Sequence, residues 1–159
     1  MDQFESNNQE LIQLVEQWTH KLLSYKKNTI EGIRNSQNRN IKQIVGHMVD
    51  SASNNTHRMI HLQYQQSPLE FPNYATHGNN DRWIAIQNYE NEDWENLVQL
   101  WKYAHLHFVH VVRNIDHSKL SNLWNAGDDN LFSLKDMVLD FLRHFKLHIS
   151  EIEENASKA

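Results

Sequence analysis

Apolar positions recur along this chain at steps of three and four, in four separate stretches. Leu11, Leu14, Val15, Trp18, Leu22 and Tyr25 make the first stripe, and Ile41, Ile44, Val45, Met48, Ala52, Met59 and Leu62 the second. The third is Trp94, Leu97, Trp101, Ala104, Phe108, Val111 and Ile115; the fourth is Leu134, Met137, Val138, Phe141, Leu142, Phe145, Ile149 and Ile152. A period of about 3.6 residues belongs to an α-helix that turns one face to a core. The stripes predict helices over residues 6–27, 40–66 and 94–115 and from 134 onward. Asn40 with Gln43, and Ser133 with Asp136, have the spacing of helix-starting caps. Four such stripes can only bury themselves against one another, so the expected fold is all-α, a four-helix bundle occupying residues 1–159 as a single domain.

The joints are unequal. Residues 28–39 are polar, hold Gly32 and carry only Ile30 and Ile33 as anchors, which reads as a connector with about one helical turn. Residues 67–91 hold both prolines, Pro68 and Pro72, then Gly78, Asn79 and Asn80, with no sustained period, and are expected to form a long crossing loop. A connection of about 25 residues reaches well beyond the roughly 39 Å of the second helix, so helices two and three need not be antiparallel neighbours. Residues 117–132, with Gly127, Asp128 and Asp129, read as a second loop.

Composition narrows the chemistry. With a formal charge of −5 and no basic run longer than Lys26 and Lys27, neither nucleic acid nor an anionic membrane is an expected partner. The polar, acidic opening Met1-Asp2-Gln3-Phe4-Glu5 lacks the basic and apolar regions of a secretory leader, and no apolar run approaches a membrane span, so a cytoplasmic protein is expected. The chain has eleven histidines and no cysteine, which removes thiolate metal sites and a cysteine nucleophile.

His144 and His148 stand four apart on the fourth helix, where two imidazoles share a face and can grip one cation. His148 falls within the apolar arc and His144 at its edge. Spacing alone leaves open a surface histidine beside a hydrogen-bonded core histidine. Asp140, one turn earlier, is in reach to hold an imidazole N–H. His47 lies roughly 60° outside the second stripe, so periodicity would not single it out, and Asp50 is near enough to be its partner. His105 points into the third stripe, where an imidazole must hydrogen-bond or ligate something. His57 with His61, and His107 with His110, project away from their stripes and read as solvated; His20 and His117 have no partner at ligand spacing. Trp18, Trp94 and Trp101 read as core. Trp83 and Tyr74, in the long loop, are expected at the mouth of a pocket. No histidine follows a glutamate by three, which rules out the di-iron carboxylate pattern. His-Glu-x-x-His, Gly-x-Ser-x-Gly and the glycine-rich phosphate loops are absent too.

Taken together, the run from Ile44 through Gly46 and His47 to Ala52, the run from Asp140 through His144 to His148, and the segment 94–112 with Leu100 and Trp101 resemble the DinB-like (DinB/YfiT-like) metalloenzyme superfamily in order and spacing. Arg39 and Asn40 stand where many relatives carry Trp-Ser. The resemblance implies an up-down-down-up bundle and a three-histidine site of His47, His144 and His148 for one divalent metal per chain, zinc first, with nickel or iron as alternatives. It implies a metal-dependent S-transferase acting on a small molecule through a low-molecular-weight thiol; a metal-dependent hydrolase and a non-catalytic metal-binding stress-response bundle stand as alternatives. In that reading His105 or Asp50 manages protons, Trp83 and Tyr74 line the cofactor or substrate pocket, and the protein is a homodimer.

Overall fold

The computed structural model describes residues 2–159. Its long helices are α1 (Gln3–Ser24), α3 (Ile41–Tyr64), α5 (Trp94–Arg113) and α6 (Leu134–Ser157), and two shorter ones, α2 (Lys27–Gly32) and α4 (Asn79–Gln87), lie in the connections. Both caps form as the sequence suggests. Asn40 accepts from the Gln43 amide at 2.9 Å while the Gln43 side chain accepts from the Asn40 amide at 3.1 Å, and the Ser133 hydroxyl accepts from the Asp136 amide at 3.0 Å. The first helix begins and ends three residues earlier than its stripe suggests, because Asp2 caps the Glu5 amide and Tyr25 already has extended backbone.

The two connections expected to be structureless are not. Residues 67–91 contain β1 (Leu69–Glu70), α4 and a 3₁₀ turn at Tyr89–Asn91; residues 117–132 contain a 3₁₀ turn at His117–Lys119, β2 (Leu123–Asn125) and most of β3 (Leu131–Ser133). Strands of two and three residues are too short to show a period, and α4 buries only Ile84, so it has no stripe to read. β2 pairs antiparallel with β3 and parallel with β1, Leu69 lying opposite Trp124. Trp124 Nε1 donates to the Phe71 carbonyl at 2.9 Å and Asn73 Nδ2 to the Ala126 carbonyl at 3.0 Å, tying both connections into one layer.

The long helices form the expected bundle, in which α1 and α3 each pack against both α5 and α6. Trp94 Nε1 donates to the Leu22 carbonyl at 3.1 Å and Arg113 grips Glu5, so α1 and α5 run in opposite senses. Asn7 reaches Leu139 and Lys21 reaches Glu153, so α1 and α6 run in the same sense. Asn155, late in α6, donates to the Arg39 carbonyl just before α3 at 3.1 Å, while His47 meets His148 further along; α3 and α6 are antiparallel. It follows that α3 and α5 run in one sense, and the chain from 65 to 93 has to travel back along the whole bundle. In the centre Phe108 stacks on Phe141 and Trp101 on Phe145, with ring centroids 3.8 and 5.7 Å apart. Among the described residues no helix is long and apolar enough to cross a membrane.

The returning segment lies on α3. Ile84 and Tyr89 are buried there, and α3 becomes buried on nearly every side between Ile41 and Asp50. Gly46 makes this possible, since a Cβ at that position would fall inside the Tyr89 ring. Gly46→Ala is therefore expected to lower stability by about 1–3 kcal/mol, as overpacked sites do, despite the better helix propensity of alanine. Urea melts of parent and variant measure it, and a neutral or stabilising change would mean that Tyr89 moves aside freely.

Candidate metal centre

α3 and α6 hold the candidate ligands where they cross. His47 and His148 are 4% and 5% exposed, and His144 is half-buried, as its position at the edge of the stripe suggests. His148 Nε2 and His144 Nε2 are 3.3 Å apart, and the His47 ring meets them edge-on, with centroids 4.6 Å from His148 and 6.4 Å from His144. Periodicity misplaces His47 on a solvated flank because a stripe reports only the bundle-facing side of a helix, whereas α3 has a second buried side beneath the segment 67–91.

Each outer nitrogen has a holder, though not the ones expected from the sequence. His148 Nδ1 lies 2.7 Å from Glu151, while Asp140, the anticipated holder, is exposed and forks onto Arg143 at 2.6 and 2.9 Å. The missed signal was simple: Glu151 stands three residues after His148. His47 Nδ1 pairs with the Tyr74 hydroxyl, whose second contact is the His47 carbonyl at 3.3 Å. With the hydroxyl donating to that carbonyl, His47 Nδ1–H donates to the phenol oxygen and Nε2 keeps its lone pair. Asp50, anticipated beside His47, is turned the other way: it is 2% exposed and accepts from Tyr89 Oη at 2.6 Å and Gln87 Nε2 at 2.8 Å.

Burial sets the charge states. Desolvation pushes the His47 imidazole down to about 2, helped by His148 and Arg39, and His144 down to about 4, helped by His148 and Arg143. Both are neutral at physiological pH, the state a metal ligand needs. The hydrogen bond from His148 holds the Glu151 carboxyl below its usual range, so it is a carboxylate there. Burial raises Asp50 to about 6. His105, 1% exposed, bonds the Trp101 carbonyl through Nδ1 at 2.6 Å, and desolvation lowers it to about 4.

His47, His144 and His148 open onto a cleft of about 1080 Å³ between α3 and α6, with Tyr74 at its wall. Trp83 does not reach it; its indole packs edge-on against Tyr74 at 5.3 Å and backs that ring. Asp50 lies off the cleft as well, and His105 sits behind His144 and His148, beside a void of about 10 Å³ too small for a substrate.

The donor set suits a divalent cation. With metal–nitrogen bonds of about 2.0–2.1 Å, two ligands of a tetrahedral site stand roughly 3.3–3.4 Å apart, which is the spacing of His144 and His148. The trio converges without being closed into a cage: among the described residues no three His, Asp or Glu side chains are set in ready ligating geometry, and the wide separation is that of His47 from His144.

No family model matches the chain, and no curated protein matches it in sequence. Among solved structures it is similar to YfiT from Bacillus subtilis, described as a probable metal-dependent hydrolase with an unusual four-helix bundle topology; the TM-score is 0.75 at 16% identity, over 95% of this chain and 86% of that one. The DinB/YfiT-like resemblance of the sequence is thereby borne out as a shared fold.

His105 gives a pH test independent of any metal. Its ordinary value is 6.5 and its folded value about 4, so the unfolded chain takes up a proton that the folded protein refuses. That contribution to stability is full above about pH 6.5 and declines as the pH falls toward 4. His105→Gln, which can keep a donor toward Trp101, should show a shallower loss of stability between pH 7 and 5 than the parent does in chelator-treated denaturant melts. Identical slopes would mean that this imidazole is not held neutral.

Proposed function

We propose that the protein is a metal-dependent hydrolase of a small molecule, with one divalent cation, zinc by first preference and nickel or iron next, held by His47, His144 and His148 at the inner end of the cleft. The observation that carries this reading is the meeting of three imidazoles from two helices, His47 and His144 neutral and the Nε2 atoms of His144 and His148 3.3 Å apart, at the wall of a substrate-sized cleft. The description of YfiT as a probable metal-dependent hydrolase supports it.

Bound there, the cation supplies Lewis acidity to water and to the bond under attack. The chain's own groups do the rest. Glu151 takes the His148 Nδ1–H and leaves Nε2 as the donor; Tyr74 does the same for His47. Both helices hold their rings in packed surroundings, and an entering cation would still have to draw His47 and His144 together. Glu151 lines the cleft as a carboxylate, and its bond to Nδ1, on the far side of the ring from Nε2, commits it to holding His148 rather than to meeting a water at the cation. We assign His105 and Asp50, the proton handlers suggested by the sequence, to support: His105 fills the space behind the trio, and Asp50 anchors Tyr89 and Gln87 of the returning segment. Thiol transfer would use the same trio and cleft, and nothing lining the cleft is peculiar to a thiol, so we place it second.

Purified protein should carry about one divalent ion per chain, and His148→Ala should lose nearly all of it. Elemental analysis decides, and equal metal in both would remove the site. Glu151→Gln should keep the fold but weaken metal affinity by about 10–100-fold in chelator competition, the usual cost of losing a ligand's outer partner. Hydrolysis of p-nitrophenyl acetate should need the metal and no thiol; consumption of free thiol with chlorodinitrobenzene, without esterase activity, would move the assignment to transfer. Neither activity in a metal-retaining protein would leave a binding bundle.

A further inference from the structure

The cleft has a second end. On α3, Ser51, Asn55 and Arg58 follow His47 along its wall. Arg58 is about 11 residues on, hence roughly 16 Å along the axis and turned by only about 20°, so it shares the face that bears His47. α6 runs the other way, and Phe141 and Met137 line the opposite wall between the two ends. The far end is closed by Trp124 and Phe132 of the small sheet.

Arg58 is 6% exposed, and its guanidinium lies 3.6 Å above the Trp124 ring and 5.9 Å from that of Phe71. Its Nε is sealed from solvent without an acceptor, and among the described residues no carboxylate, carbonyl or hydroxyl bonds any of its nitrogens. The other charged groups of the cleft each have an ionic or hydrogen-bonded partner, although Arg39 Nε is, like Arg58 Nε, sealed without an acceptor. Arg39 holds Asp81 at 2.7 Å, Arg143 forks onto Asp140, Glu151 holds His148, and Asp136 accepts from Ser133 at 2.7 Å. Burial lowers Arg58 only to about 10, so it remains a cation at neutral pH. Stacking on an aromatic face satisfies part of a buried guanidinium's charge but not the sealed Nε–H, and leaving that donor unmet is costly. The stack also leaves the donor edge free, in the plane where a flat oxyanion binds through two parallel hydrogen bonds.

We propose that Arg58 anchors the carboxylate of an extended substrate whose apolar body lies along Phe141 and Met137 and whose opposite end reaches the histidines. A monoanion fits better than a phosphate dianion, because Asp136, Asp140 and Glu151 share the cleft and a single cation is left unmatched. The identity of the reacting end rests on the hydrolase reading above; the anion site does not.

Calorimetric titration of the full-length protein, as purified, with octanoate, octanamide and octyl phosphate tests the assignment. Octanoate should bind the parent, Arg58→Gln should weaken it by about 10–100-fold, and Arg58→Lys, which keeps the charge but not the fork, should fall between them. Octanamide should bind weakly and equally to all three. His148→Ala should retain the Arg58-dependent binding, so absence of metal from the parent would sink the hydrolase reading and leave this site standing. Equal octanoate affinity in parent, Arg58→Gln and Arg58→Lys, octanamide as tight as octanoate, or octyl phosphate tighter than octanoate would each overturn the carboxylate anchor. Should Arg58→Gln fail to fold by circular dichroism, Arg58→Lys alone still decides, because loss of the fork must weaken octanoate and leave octanamide unchanged.

Discussion

A helix buried on two sides has to find partners for whatever polar groups its second side carries, and α3 carries many. Its first side is an ordinary apolar stripe, Ile41 to Leu62. Its second bears His47, Asp50, Ser51, Asn54 and Arg58, all buried. Taking those groups out of water is unfavourable unless each is bonded or charge-compensated. Asp50 is met at one oxygen by Tyr89 and Gln87 while its other oxygen is sealed without a partner, Asn54 is met by its own helix, and His47 by Tyr74. What faces the cleft without a partner is the Nε2 lone pair of His47, beside those of His144 and His148 on α6, at one end and the donor edge of Arg58 at the other, and these are the groups we assign to ligands.

The covering of that second side follows from connectivity. Because α3 and α5 run in the same sense, the chain between them must pass back along the bundle, and it does so over α3, with Ile84 and Tyr89 as its apolar anchors. Gly46 lets Tyr89 sit flush, and Tyr89 in turn holds Asp50. The small residue before His47, one of the marks of the family resemblance, thus has a mechanical reason: a side chain there would lift the covering segment off the helix and rehydrate the site. Arg39 is buried and paired with Asp81 of α4, so the entry to α3 is fastened to the cover by an ion pair.

The bundle was legible in the sequence because long helices repeat their signal: four stripes, two caps and the core aromatics Trp18 and Trp101 are where the spacing puts them. The small sheet and α4 were not, since two or three residues cannot display a period and α4 has a single buried residue. His144 and His148 could be read from spacing. His47 could be found only through likeness to other proteins, because a hydrophobic wheel marks any polar residue as solvent-facing and has no means of registering a second buried side. Glu151 and Tyr74 show two kinds of omission. The first lay in plain view one turn beyond His148, whereas the second reaches His47 across 27 residues of chain by a path no local rule describes.

The two ends of the cleft are built from different material, and this bears on how such a fold can change its substrate. The histidines stand on α3 and α6, which are locked together by Asn155 against the Arg39 carbonyl and, through α5, by the Phe108–Phe141 and Trp101–Phe145 stacks. Shifting a ligand there means repacking the core. At the other end Arg58 comes from a long helix, but Trp124 and Phe132 belong to a hairpin beyond the bundle, held by the three short strands and by Asn73. Segments of that kind tolerate substitution and insertion far better than a helical interior does. On the proposed reading, a cation site fixed by the core and facing a wall of replaceable loops keeps the reacting groups in register while the bound molecule varies. His144 and His148, one turn apart on a single helix, are accordingly legible from spacing, whereas Arg58 has to be found from its missing partner.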